Sequence, residues 1–170
     1  MTPSSHRLIN RLIIVAVLLL SPWALTPASA ENYPALSGVK GLDTVFDVSL
    51  ANPSMANIVF KAVRGVHDDP AVAALPAPPR TAIVFHGGAV KLLSTDLSEF
   101  KGKERTEAEK FAATLKQMKE DGIILEVCMY AVKVVGVDPS TLLPEIDRVG
   151  NGFISVAGYQ AQGYGVVRIP

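Results

Sequence analysis

Two almost uninterrupted apolar runs constrain the fold of this chain more than any other feature. Residues 81–86 and 123–128 are apolar nearly throughout, and each run is followed by glycine or by a helical pattern. Such runs are typical of strands that are buried on both faces of a parallel sheet. Alternating or short apolar segments at 45–50, 146–149 and 164–169 indicate three further strands. The sequence therefore predicts five strands.

Helical patterns separate these strands. Asn52 and Pro53 match the N-cap and the first position of a helix that ends at Asp68-Asp69-Pro70. Its predicted apolar stripe comprises Met55, Ile58, Val59, Ala62, Val63 and Val66. Residues 70–79 contain four prolines and are predicted as an extended loop.

A second, amphipathic helix is predicted over residues 104–121, with Phe111, Leu115 and Met118 on its buried side. Shorter helices are predicted over residues 129–135 and 152–162. Alternation of strands and helices is typical of the α/β class. We therefore expect a mostly parallel five-stranded sheet with helices on both faces and right-handed crossovers.

The first thirty residues have the order of an export signal. Arg7 and Arg11 precede an apolar run over residues 12–20, Pro22 breaks that run, and 28–30 read Ala-Ser-Ala. A membrane anchor is the alternative, but a span needs about 20 apolar residues. We expect cleavage after Ala30, a flexible lead-in over 31–43 and one domain over 44–170. The location would be periplasmic or secreted, with no membrane contact after cleavage.

The remaining chain has little net charge. Two of the 16 Lys and Arg residues and none of the 16 Asp and Glu residues lie in the signal, which leaves a charge of −2. Without a basic excess, nucleic acid is not an expected partner. The length suits one domain that buries a core without disulfides.

Cys128 is the one cysteine of the chain, so no intramolecular disulfide can form. An odd thiol in an exported protein is either buried and inert, paired between chains, or reactive. Cys and His residues do not have the spacing of a zinc site, and no metal is expected. Phosphate-loop, dinucleotide, nucleophile-elbow and Cys-x-x-Cys motifs do not occur in the sequence.

Two reactive side chains fall at predicted strand ends, His86 and Cys128. Ligands bind at the carboxyl ends of the strands in open α/β sheets. A thiol before a helix meets amide N–H groups that favour the thiolate, which makes Cys128 a candidate nucleophile. The alternatives are a small core residue for Cys128 and a structural histidine for His86.

The segments around these residues, with Val84-Phe85-His86-Gly87, residues 122–128 and residues 151–164, resemble the DsrE/DsrF-like family. The resemblance extends from about residue 43 to 170. It implies a three-layer, flavodoxin-like domain that forms homotrimers or hexamers. In the sulfurtransferase members of that family, the cysteine at the position of Cys128 accepts sulfane sulfur as a persulfide.

The resemblance leads to two hypotheses. In the first, Cys128 carries a persulfide, and His86 with the backbone N–H groups of Gly87 and Gly88 holds the anionic sulfur species. The partners would be reduced sulfur compounds or a sulfur-carrier protein, and no cofactor would be needed because a thiolate suffices. In the second, the protein is an oligomeric binding or assembly protein in which Cys128 is structural. Export, and Met129-Tyr130 after the cysteine, distinguish the sequence from sulfur-relay members.

Overall fold

The computed structural model describes residues 33–170, and the predicted signal lies outside them. Five strands form one sheet in which every neighbouring pair is parallel. The strands are β1 (Asp43–Val48), β2 (Arg80–Phe85), β3 (Ile124–Cys128), β4 (Asp147–Val149) and β5 (Gly165–Ile169). The helices are α1 (Pro53–Asp68), α2 (Pro70–Ala73), α3 (Gly102–Glu120), α4 (Met129–Val135) and α5 (Gly152–Ala161). The expected α/β class and the five-stranded parallel sheet are confirmed.

The strand order explains why the two faces of the sheet differ. The order is β4-β3-β2-β1-β5, so the chain advances in one direction from β1 to β4 and then returns beside β1. The core contacts place α1, α3 and α4 on one face and the returning helix α5 on the other, as right-handed crossovers require for this strand order. Two separate core clusters, one on each face, agree with this three-layer arrangement.

Three phenylalanine rings form the centre of the larger core. Phe60 of α1 stacks on Phe85 of β2 with ring centroids 5.8 Å apart. Phe111 of α3 meets Phe60 edge-on at 4.7 Å and Phe85 at 6.4 Å. Edge-to-face and offset contacts at these distances stabilise aromatic pairs beyond the area that they bury. The rings therefore fix α1 and α3 against the middle of the sheet.

The start of α1 is as expected, and its buried side agrees with the predicted stripe in part, with Val59, Val63 and Val66 at the core. Asn52 Oδ1 accepts the Met55 N–H at 2.9 Å, and Pro53 occupies the first turn. The core side carries Ala56, Phe60 and Val63. Met55 and Ile58, expected in the stripe, are exposed. Apolar residues cover much of the helix circumference, and the side that carries a phenylalanine buries more apolar area.

The proline-rich segment after α1 is not wholly an extended loop. Asp69 Oδ1 accepts the Ala71 N–H at 2.7 Å, and Pro70 begins the four-residue helix α2. The aspartate-proline pair that ends α1 thus provides the N-cap and first residue of the next helix. None of the helices within residues 33–170 has the length and apolar character needed to cross a bilayer.

Candidate functional site

Four adjacent strands each bring one chemically active side chain to the same cavity. Asp47 of β1 pairs in register with Arg168 of β5. His86 directly follows Phe85, which pairs with Val127, so His86 lies alongside Cys128 at the ends of β2 and β3. All four residues line a cavity of about 360 Å³. The cavity lies at the carboxyl ends of the strands, where ligands bind in sheets of this kind.

His86 is held by a carboxylate. Its Nε2 contacts Asp47 Oδ1, and the histidine is only 7% exposed. A carboxylate oxygen accepts hydrogen bonds, so this contact suits the tautomer of His86 in which Nε2 donates and Nδ1 is the free acceptor. The ring of Phe153 packs edge-on against the imidazole with centroids 5.1 Å apart. These contacts fix the orientation of the imidazole.

Cys128 is the last residue of β3 and is 4% exposed. It belongs to the larger core cluster and also lines the cavity, so both sequence interpretations describe part of its environment. The helix after it has seven residues. One N–H of its first turn, at Tyr130, donates to the Gly150 carbonyl at 3.1 Å and is not available to the sulfur. The amide N–H groups at the start of α4 therefore stabilise a thiolate on Cys128 less than the sequence predicts.

Gly152 lets α5 approach Cys128 closely. A Cβ at this glycine would lie 3.0 Å from Cys128 Cβ and 3.1 Å from Val84 Cγ1. Contacts this short mean that even a methyl group here would push Cys128 or Val84 aside by a few tenths of an ångström. Asn151 Oδ1 accepts the Phe153 N–H at 3.0 Å and caps α5 at this point. The backbone of α5 therefore covers the thiol on one side.

The two predicted glycines have different surroundings. Gly87 lines the cavity and has a φ of +54°, a conformation that favours glycine. Gly88 is not among the residues that line it, and a Cβ there would lie 2.8 Å from Ala51 Cβ. Of the residues singled out from the sequence, the structure thus brings together His86, Gly87 and Cys128.

Sequence reasoning missed Asp47, Arg168, Tyr130 and Phe153, all of which line the same cavity. Asp47 occupies a polar position in an alternating strand and was used only as part of that pattern. The available signal was an acidic residue near the carboxyl end of a strand. No three side chains of His, Cys, Asp and Glu within residues 33–170 come together as a metal site.

A half-buried contact between two acidic groups joins α5 to β3, at Glu126, two residues before Cys128. The Tyr159 hydroxyl of α5 donates to Glu126 Oε1 at 2.8 Å. Glu126 Oε2 is buried and has no hydrogen-bond partner among the described residues. Burial, and then the hydrogen bond to Glu126, raise the pKa of Tyr159 above its ordinary value. The pair fixes α5 over the sheet, next to the thiol.

This raised pKa predicts a loss of stability in alkali. Above about pH 10, tyrosines of the unfolded chain lose their protons, whereas Tyr159 in the folded protein keeps its own. The folded state then binds more protons than the unfolded state, so the free energy of unfolding falls as the pH rises. Urea unfolding at several pH values from about 8 to 11 should show a shallower fall in Tyr159→Phe than in the wild type. Tyr130→Phe, at an exposed tyrosine, is the control. Equal slopes in Tyr159→Phe and the wild type would contradict the prediction.

The fold and the cavity define an α/β protein with a cysteine, a histidine and an aspartate at the carboxyl edge of a parallel sheet. The model of the DsrE/DsrF-like family matches residues 38–169. The chain therefore belongs to the DsrE/DsrF-like family, which is linked to sulfur relay. No curated protein shows significant similarity to the sequence.

Solved structures with low sequence identity are similar to this chain. The protein of unknown function MTH1491 from Methanobacterium thermoautotrophicum is 19% identical, with a TM-score of 0.58 over 75% of this chain and 98% of that one. The conserved protein of unknown function BT1422 from Bacteroides thetaiotaomicron is 16% identical, with a TM-score of 0.49 over 81% of this chain and 100% of that one. The ychN protein from E. coli is 10% identical, with a TM-score of 0.49 over 76% of this chain and 99% of that one. At 19% identity, the first similarity supports the fold alone.

Proposed function

We propose that this protein is an exported sulfur carrier that holds sulfane sulfur as a persulfide on Cys128. The observation that carries the proposal is the convergence of Cys128, His86 and Asp47 on one cavity from three adjacent strands. A nucleophile, a base and a group that orients the base are the parts that an activated thiol requires. Membership of a family linked to sulfur relay agrees with this chemistry.

The transfer needs only these groups and a donor with a sulfane sulfur. His86 takes the proton of the Cys128 thiol, and the Asp47 carboxylate stabilises the resulting imidazolium. The thiolate attacks the sulfane sulfur, a new S–S bond forms on Cys128, and the S–S bond of the donor breaks. The leaving sulfur takes the electron pair of that bond and then the proton held by His86. The exchange requires no external oxidant or reductant.

The burial of Cys128 suits a carrier. A persulfide on an exposed cysteine exchanges with other thiols or is oxidised. Cys128 is 4% exposed but borders an open cavity, so a small donor can reach the sulfur while larger thiols are kept away.

The test is mass spectrometry of the protein after incubation with inorganic polysulfide. The full chain is expressed with its own N-terminus in a Gram-negative host, and recovery of a periplasmic species that begins at Glu31 also tests export. We expect mass gains of about 32 Da for each sulfur atom, removed by a reductant. Cys128→Ser should gain nothing. An unchanged wild-type mass, or equal gains in the variant, would contradict the proposal.

The second candidate is an oligomeric assembly protein in which Cys128 is structural. Its support is the exposure of large apolar side chains near the cavity and on the edge strand β5, namely Tyr130, Phe153, Ile154, Val166 and Val167. Exposed apolar patches favour contacts between subunits, and the family resemblance implies homotrimers or hexamers. Native thiol labelling separates the candidates, because a structural Cys128 reacts only after unfolding. Light scattering gives the subunit number.

A further inference from the structure

One wall of the Cys128 cavity is apolar and unusually exposed. Tyr130 and Phe153 are 65% and 67% exposed, and Val134 beside them is also exposed. Tyr130 and Val134 belong to α4 and Phe153 to α5, two helices that begin where the chain leaves the sheet beside Cys128. Apolar side chains that remain in water around a cavity are typical of a surface that contacts a ligand.

The cavity also has a cationic end. Arg168 is the only lysine or arginine among the described residues that line it. Asp47 of β1 lies beside Arg168 in the register of β1 and β5, but its carboxylate contacts His86 and not Arg168. Arg168 forms no ion pair within residues 33–170 and is exposed. An exposed guanidinium that is not engaged in an ion pair can bind a carboxylate through two parallel hydrogen bonds.

The volume of the cavity indicates the size of the ligand. About 360 Å³ lies within the range of cavities that hold organic ligands, which is roughly 300–1,000 Å³. A short inorganic polysulfide would contact the thiol and leave most of the apolar wall in water. A ligand with an organic part and a carboxylate uses the thiol, the wall and Arg168 together.

We propose that the sulfur donor is a low-molecular-weight organic persulfide that carries a carboxylate, such as the persulfide of cysteine or of a cysteine-containing peptide. This inference rests on the proposed function of Cys128. Arg168 binds the carboxylate, and the organic part lies against Tyr130 and Phe153. The Cys128 thiolate attacks the outer sulfur of RS–SH, and the S–S bond of the donor breaks. RS⁻ leaves with the bonding electrons and takes the proton from His86. The products are the Cys128 persulfide and the thiol RSH.

The experiment compares two donors that differ in the carboxylate. Cysteine persulfide and cysteamine persulfide have the same reacting group, and cysteamine lacks the carboxylate. The initial rate of Cys128 loading is measured by mass spectrometry at low donor concentration. We expect the wild type to load from cysteine persulfide about ten times faster, as charge-assisted hydrogen bonds to one group would give. Arg168→Gln should reduce this ratio to about one.

A matched control variant is Lys133→Gln, which removes an exposed cation of α4 that does not line the cavity. It should keep the tenfold ratio. A ratio near one in the wild type, or a tenfold ratio that persists in Arg168→Gln, overturns the inference about the donor and leaves the carrier function intact. The carrier function itself is overturned if Cys128 gains no sulfur from any of the three donors, namely cysteine persulfide, cysteamine persulfide and inorganic polysulfide.

Discussion

The His86→Gln variant should acquire sulfur on Cys128 at pH 7 on the order of 100-fold more slowly than the wild type, since a positioned base contributes about that much or more. Glutamine keeps much of the volume and a hydrogen-bonding group but cannot take a proton at this pH. The rate at which iodoacetamide alkylates Cys128 should fall by the same factor, because this rate measures the nucleophilicity of the thiol without a sulfur donor. His67→Gln is the control, because His67 contacts Thr81 at 3.2 Å and does not line the cavity.

Asp47→Asn should produce a smaller loss in the same direction. An amide can still contact the imidazole, but it cannot stabilise a positive charge on the ring. The other charged or titratable groups around the cavity are Arg168 from β5 and Tyr130 from α4, which line it, and Glu126, two residues before Cys128 on β3. The substitution changes none of them.

The pH profile separates a role in catalysis from a role in packing. If His86 acts as the base, the rates of both variants should approach that of the wild type above about pH 9, where thiols ionise without help. A purely structural defect would lower the rate equally at every pH. Equal rates of His86→Gln and the wild type at pH 7 would contradict the assignment of the base.

Replacing Phe111 with alanine should lower the free energy of unfolding by about 3–5 kcal/mol. Phe111 is 1% exposed and makes ring contacts with both Phe60 and Phe85. Its removal loses the transfer free energy of the ring and leaves a cavity between α1, α3 and the sheet. Such a loss is a large fraction of the stability of an ordinary domain. Chemical denaturation followed by circular dichroism measures it.

Phe153→Ala is the matched control for stability, because the same substitution then falls on a ring that is mostly exposed. It should change the free energy of unfolding by roughly 0.5 kcal/mol or less. A loss below about 1 kcal/mol in Phe111→Ala would show that the rings are not the centre of the core.

Local sequence patterns predict where α1 begins, but they do not predict which of its sides is buried or that α2 follows it. Asn52-Pro53 specified the start of α1 because capping depends on neighbouring residues alone. The buried side of the same helix was predicted only in part, because Val63 is buried whereas Met55 and Ile58 are exposed. The buried side depends on which residues meet Phe85 and Phe111, and no local pattern specifies that. The Asp69-Pro70 pair predicts the end of α1 but gives no sign of α2, because a cap followed by only four residues has no helical period.

The sequence by itself determined the α/β class, the central strands β2 and β3, and the positions of His86 and Cys128 at strand ends. Hydrophobic runs and helix signals are local, so one sequence is enough to recognise them. Only the tertiary structure brought Asp47 and Arg168 to the same cavity as His86 and Cys128. That meeting depends on the return of β5 beside β1 and on the register of the pairing. Both follow from packing across the whole sheet, which the periodicity of a single strand does not encode.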